Sequence, residues 1–164
     1  MVIILMGVTG SGKTTIGQKL AQALNCPFQD ADDHHSVANR EKMARGLALT
    51  EEDRRPWLET LAGKIREWNK ERALTVLACS ALKQSYRDLL SKGEVVRWVY
   101  LKGDRELVRK RLEGRQGHFA DARLLESQFD LLEEPKNAVV VDIGGELDKI
   151  VLRLTQELKG VQPL

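Results

Sequence analysis

The chain has 164 residues, 42% of them hydrophobic and 30% charged, with 26 Lys and Arg against 24 Asp and Glu. That length holds one packed domain rather than two independent cores, and a formal net charge of +2 is too small to point to a nucleic acid or a membrane surface as partner. No apolar run approaches the ~18 residues of a spanning helix, Val2–Met6 has no basic flank of the kind a secretion signal carries, and Cys26 and Cys79 make neither a disulfide framework nor a metal pair, so a soluble, cytoplasmic, single-domain protein is expected.

Five short β-branched runs predict strands: Val2–Met6, Pro27–Asp30, Ala73–Cys79, Val95–Leu101 and Ala138–Ile143. Most are apolar almost throughout, the pattern of strands covered on both faces. Helical periods lie between them. Ile16, Leu20 and Leu24 recur at spacing four after the first strand. Leu58, Leu61, Ile65 and Trp68 follow, with Thr50 as cap and Glu51–Asp53 as an acidic first turn. Leu147, Ile150, Val151, Leu154 and Leu158 form a last amphipathic stripe. Strands separated by helices predict right-handed βαβ units, and five of them with helices on both faces predict a three-layer α/β/α domain around a parallel sheet.

The strongest chemical signal is Gly7-Val8-Thr9-Gly10-Ser11-Gly12-Lys13-Thr14, which fits G-x-x-x-x-G-K-[ST] between a strand and a helix. Glycines let successive N–H groups curl around one anion, and the helix that follows adds its positive end. Lys13 reaches the β- and γ-phosphates, and the Thr14 hydroxyl suits Mg²⁺. The predicted nucleotide set is Gly7, Val8, Thr9, Gly10, Ser11, Gly12, Lys13, Thr14 and Thr15. A guanine-nucleotide switch is disfavoured. Its two further motifs have near matches in Asp142-Ile143-Gly144-Gly145 and Asn69-Lys70-Glu71-Arg72, but in reversed order and with Arg72 where guanine needs an aspartate.

The second predicted strand ends in Asp30-Ala31-Asp32-Asp33-His34-His35. Alternate strand residues share a face, so Asp30 and Asp32 are expected to point together toward the ligand crevice. One can order metal-bound water, and the other can take a hydroxyl proton. A zinc site from Asp32, His34 and His35 is disfavoured because adjacent histidines on an extended chain diverge. Farther on, Arg105 to Phe119 reads as a helix running into a glycine-punctuated lid, with Arg111 and Arg115 folding over the phosphates. Arg105 and Lys110 read as a solvated face. No aromatic residues interleave with these basic ones, against a nucleic-acid patch.

These blocks resemble the small gluconokinases, within the shikimate kinase/adenylate kinase-like group of P-loop kinases. The resemblance runs from Met6 to Ile143. It is carried by the phosphate loop, Asp30-Ala31-Asp32 with His35, Asn39-Arg40-Glu41-Lys42-Met43 and Asp53-Arg54-Arg55-Pro56-Trp57-Leu58. Cys79-Ser80-Ala81-Leu82-Lys83-Gln84-Ser85-Tyr86-Arg87-Asp88, Gly117-His118-Phe119 and Ser127-Gln128-Phe129 complete it. It implies a P-loop NTPase fold with strand order 2-3-1-4-5, one kinase domain over 1–164, an acceptor insert about 33–58 and a lid about 111–125. The implied reaction transfers phosphate from ATP, with Mg²⁺, to D-gluconate, giving 6-phosphogluconate; a homodimer is also implied. Lys13, Asp32, Arg111 and Arg115 would be catalytic, Asp32 as base. Thr14 and Asp30 would serve the metal. Asp32, His35, Arg54, Ser80, Lys83, Arg87, His118 and Gln128 would hold the acceptor, with Arg54, Lys83 and Arg87 competing for its carboxylate. Trp57 reads as core.

This chain departs from the family's pattern at the rim of the acceptor pocket. Ala31 replaces Gly, His34-His35-Ser36 replaces Leu-His-Pro, and Gly46-Leu47-Ala48-Leu49-Thr50 replaces a more polar stretch. A kinase for another sugar acid or for shikimate therefore stays open. So does a nucleotide-binding regulatory switch, which would hydrolyse ATP slowly without any acceptor.

Overall fold

The computed structural model describes residues 1–114 and 119–159, with side chains from 124 onward in the second stretch. Its strands are β1 (Val2–Met6), β2 (Phe28–Asp30), β3 (Thr75–Ala78), β4 (Val96–Lys102) and β5 (Val139–Asp142). They form one parallel sheet in the order β2-β3-β1-β4-β5. The helices are α1 (Lys13–Ala23), α2 (Val37–Ala44), α3 (Glu51–Lys70), α4 (Gln84–Leu90), α5 (Arg105–Glu113), α6 (Phe119–Leu131) and α7 (Leu147–Leu158).

Alternation along β1 splits the core in two. Ile3 and Leu5 pack with Val76, Val99 and Val141 against Ile16 and Leu20 of α1, Val108 and Leu112 of α5, Leu125 of α6 and Leu154 of α7. Val2, Ile4 and Met6 face the other way, against Trp57, Leu61 and Ile65 of α3 and Leu90 of α4. This is the predicted three-layer α/β/α arrangement. The α3 start is also as predicted: Thr50 and Asp53 make a reciprocal capping box, and Lys42 donates to Asp53 at 2.8 Å. Lys42 and the cap hold the Asp53 carboxyl down at about 2.

One expectation fails locally, and one helix comes unannounced. β2 stops at Asp30, and Ala31–His34 turns as a 3₁₀ helix, nucleated when the Asp30 carboxylate accepts the Asp32 N–H at 3.1 Å. Asp30 and Asp32 are therefore not alternating strand residues. The segment 34–50 contains α2, which the sequence reading does not place, capped by Ser36 accepting the Asn39 N–H at 3.1 Å. The only buried residue of α2 is the polar Asn39, so no apolar period advertised the helix.

The C-terminal edge of the sheet collects β1's exit into the phosphate loop, the acidic end of β2 and the Cys79-Ser80 exit of β3. A parallel α/β sheet binds its ligands at that edge.

Candidate active site

The phosphate loop spans the gap between β1 and α1. Gly10 (φ 75°) and Gly12 (φ 92°) take left-handed conformations, and a Cβ on Gly10 would lie 2.8 Å from the Leu112 side chain. Lys13 opens α1. Its ammonium folds back to donate to the carbonyls of Gly7 (3.0 Å) and Val8 (2.9 Å). Burial lowers its pKa, opposed first by Asp32. Ser11 is buried, and its hydroxyl has no partner among the described residues. A strongly curled loop, a helix N-terminus, a lysine and an orphaned hydroxyl suit a polyphosphate.

The acidic turn closes one side. Thr14 Oγ1 donates to Asp30 Oδ2 at 2.9 Å, tying the start of α1 to the end of β2. This all-oxygen pair matches the preference of a hard cation such as Mg²⁺. Asp30 is thus engaged through both oxygens. Asp32 stands open, its side chain 69% exposed. The protein walls that surround it in the cleft still raise its pKa by displacing part of the water around it, with Lys13 pulling the other way. Lys13, Thr14, Thr15, Asp30 and Asp32 line a cavity of about 210 Å³ above the loop.

A second cavity adjoins it and shares Thr9, Lys13 and Asp32. His35, Arg54, Trp57, Ser80, Tyr86 and Gln128 are among the other residues of its wall. The His35 ring stacks on Trp57 with centroids 4.2 Å apart, and Trp57 Nε1 donates to the Ala31 carbonyl at 2.8 Å. Trp57 therefore belongs to the core and also braces the acidic turn. Burial, then Arg54 and Arg40, hold the His35 pKa down at about 4. Arg54 lies 6.0 Å from the centre of the Tyr86 ring. Gln128 reaches from α6 to accept the Thr9 N–H at 2.6 Å, which ties that helix to the phosphate loop.

Three basic candidates sit elsewhere. Lys83 donates to Glu51 at 2.6 Å, and the Tyr86 hydroxyl donates to the same oxygen at 2.7 Å. This trio forms the rim and leaves Lys83 outside the lining of either cavity. Arg87 is turned inward. Its guanidinium donates to the carbonyls of Ala81 (2.9 Å), Leu82 (3.0 Å) and Glu133 (2.9 Å), bracing the β3–α4 turn. Arg111 donates to the Ile143 carbonyl. It lines a cavity of about 350 Å³ on the α7 side of the loop, with Gly12, Thr15, Gly145 and Leu147. Arg115 and His118 lie outside the described residues.

Sequence reasoning assigned no role to Glu51, Tyr86 or Asn39. Glu51 read only as a first-turn acid and Tyr86 only as part of a motif. Asn69, from the false guanine motif, donates to Glu94 and to the Val95 carbonyl, beside the start of β4 and away from the loop.

The sequence profile of the shikimate kinase family matches residues 9–159. A gluconokinase of Arabidopsis thaliana is 44% identical over 146 residues, covering 80% of this chain and 77% of its own. The thermosensitive gluconokinase of Escherichia coli strain K12 is 40% identical over 164 residues, covering 97% of this chain and 88% of its own. The unliganded crystal structure of a sugar kinase from Janibacter sp. HTCC2649 superposes with a TM-score of 0.90 at 38% identity, covering 99% of this chain and 95% of its own.

Proposed function

The chain belongs to the gluconokinase family, and from that premise we propose that it transfers the γ-phosphoryl group of ATP to the 6-hydroxyl of D-gluconate. The observation that carries the reading is the meeting of two cavities. One is lined by the phosphate loop and the other by Arg54, Ser80 and Tyr86, and they join at Thr9, Lys13 and Asp32. A phosphoryl donor and a hydroxyl acceptor are thereby brought to the same few side chains.

The roles follow from position. Lys13 exchanges its two carbonyl partners for phosphate oxygens and neutralises charge as it shifts toward the leaving group. Asp32 accepts the proton of the attacking hydroxyl. Thr14 and Asp30 would hold Mg²⁺, which supplies positive charge to the phosphate oxygens when bound. Arg54 takes the acceptor carboxylate in its planar fork, and Ser80 takes polyol hydroxyls. Gln128 orders the loop through Thr9. Arg111 borders the place we assign to the adenine, beside the loop after β5. Arg115 and His118 keep the lid and closing roles implied by resemblance. Among the described residues no helix is long and apolar enough to cross a membrane, and we place the enzyme in the cytoplasm.

A coupled ATP-consumption assay over a panel of sugar acids tests the reading. D-gluconate is expected to give the highest kcat/KM. Shikimate belongs in the panel because the shikimate kinase profile covers most of the chain. A faster acid would reassign the acceptor, and slow hydrolysis indifferent to every acid would point to a switch.

Arg54→Ala is expected to raise the acceptor KM about 10- to 100-fold, the loss of a charge-assisted hydrogen bond of ~1.5–3 kcal/mol. The KM for ATP should stay near wild type. An unchanged acceptor KM would move the carboxylate clamp to Lys83.

A further inference from the structure

One buried polar chain beside the site has no part in the roles above. Asn39 is buried, 5% exposed, and its Nδ2 donates to the Asp53 carbonyl at 2.8 Å. The same nitrogen lies 3.5 Å from His35 Nδ1. The amide has one workable orientation: reversed, its oxygen would face the Asp53 carbonyl oxygen, two acceptors in contact. The amide nitrogen, a donor only, is therefore the atom that faces His35 Nδ1 across 3.5 Å, a contact that favours a lone pair there. The ring proton then sits on Nε2, and Nε2 lies 3.8 Å from Asp32 Oδ1. Stacking on Trp57 and a side-chain exposure of 3% fix the ring in place, while the open Asp32 carboxylate is free to close the remaining distance.

We propose that Asn39 is a positioning residue that fixes the tautomer of His35, so that an imidazole N–H aims the carboxylate of Asp32 at the acceptor hydroxyl. His35 acts here as a donor and not as a base. One Asp32 oxygen accepts its N–H, and the other is left to take the acceptor's proton. Groups facing the ring from other elements agree: Arg54 on α3 and Arg40 on α2 both disfavour an imidazolium. This inference rests on the reading of Asp32 as base.

Its first test is spectroscopic. The chain has three histidines, so long-range ¹H–¹⁵N spectra of the labelled protein at neutral pH resolve their tautomers, with His34→Gln to assign neighbours. His35 is expected with Nε2 protonated and Nδ1 bare. In Asn39→Asp the side chain gives up the Asp53 carbonyl, and its carboxylate beside the ring demands a proton on Nδ1, so the His35 signals should change to the Nδ1–H tautomer or to imidazolium. The kinetic arm should show Asn39→Asp lowering kcat about tenfold or more, as a misaimed reacting group does, with the ATP KM within about twofold of wild type. His35→Gln, which restores an N–H donor, should keep more kcat than His35→Leu. A wild-type Nδ1–H tautomer overturns the inference, and so does equal kcat in the two His35 variants. Undiminished turnover in Asp32→Asn would instead overturn the base assignment, with the tautomer result still standing.

Discussion

Asp32→Asn is expected to lower kcat by roughly 10²- to 10⁴-fold, the usual contribution of a positioned general base, while ATP binding by calorimetry stays near wild type. The substitution keeps the shape of the side chain and removes its negative charge, and with it the ability to accept a proton. Nucleotide binding should survive because Asp32 supplies none of the loop's N–H groups. The neighbouring carboxylate cannot substitute. Asp30 accepts from the Thr14 hydroxyl with one oxygen and from the Asp32 N–H with the other. The walls of the cleft raise the Asp32 carboxyl above the usual aspartate range, with Lys13 pulling the other way. The base works only when deprotonated, so kcat/KM should be retained above this pKa and fall as pH drops through it. In Asp32→Asn that acidic limb should disappear. A variant turning over within tenfold of wild type would remove Asp32 as the base.

The parts of this molecule legible in its sequence are those governed by local periodicity or by a fixed motif. β1 is predicted to the residue and the other four strands with only trimmed or shifted ends; β1 and β3 are the plainest, because strands buried on both faces are written as continuous apolar runs. Pro27 falls outside β2, lacking the N–H a ladder needs, although its carbonyl accepts from Val76. The phosphate loop and the Thr50–Asp53 cap were equally plain. The order of the strands was not, and came from resemblance.

What stayed hidden is where long or polar side chains find partners far along the chain. α2 buries one polar residue, so its hydrophobic pattern is empty. Asp32 reaches the cleft by a 3₁₀ turn that its neighbour's carboxylate creates, a reason different from strand alternation. Arg111 sits at the end of a helix that reads as a lid arm, yet its partner is a carbonyl 32 positions away. Lys83 looks like an anion receptor until Glu51, 32 positions upstream, is seen to hold it. Spacing shows which residues can share a helix face, but not which distant carbonyl or carboxylate a flexible cation will meet.

Arg87 gives the sharpest contrast, and Arg87→Met is expected to cost about 2–4 kcal/mol of stability with little change in acceptor KM. By sequence it is a candidate for the acceptor carboxylate, one turn beyond Lys83. In the fold it is 2% exposed, and its donors serve three carbonyls and the Gln84 side-chain oxygen. The Ala81 and Leu82 carbonyls belong to a turn forced by a left-handed Ala81 (φ 41°), where no helix N–H can reach them. Methionine fills similar space but donates nothing. The Ala81 carbonyl left buried and unpaired costs about 1–3 kcal/mol, while the Leu82 carbonyl, which keeps the Glu133 N–H at 2.9 Å, and the exposed Glu133 carbonyl each lose a hydrogen bond of about 0.5–1.5 kcal/mol. At this chain length such a loss lowers Tm by roughly 5–15 °C, which differential scanning calorimetry reads directly. Steady-state kinetics well below the lowered Tm should then show an acceptor KM close to wild type, because the guanidinium lines neither cavity. A normal Tm with an acceptor KM raised tenfold would reverse the assignment and make Arg87 a substrate ligand.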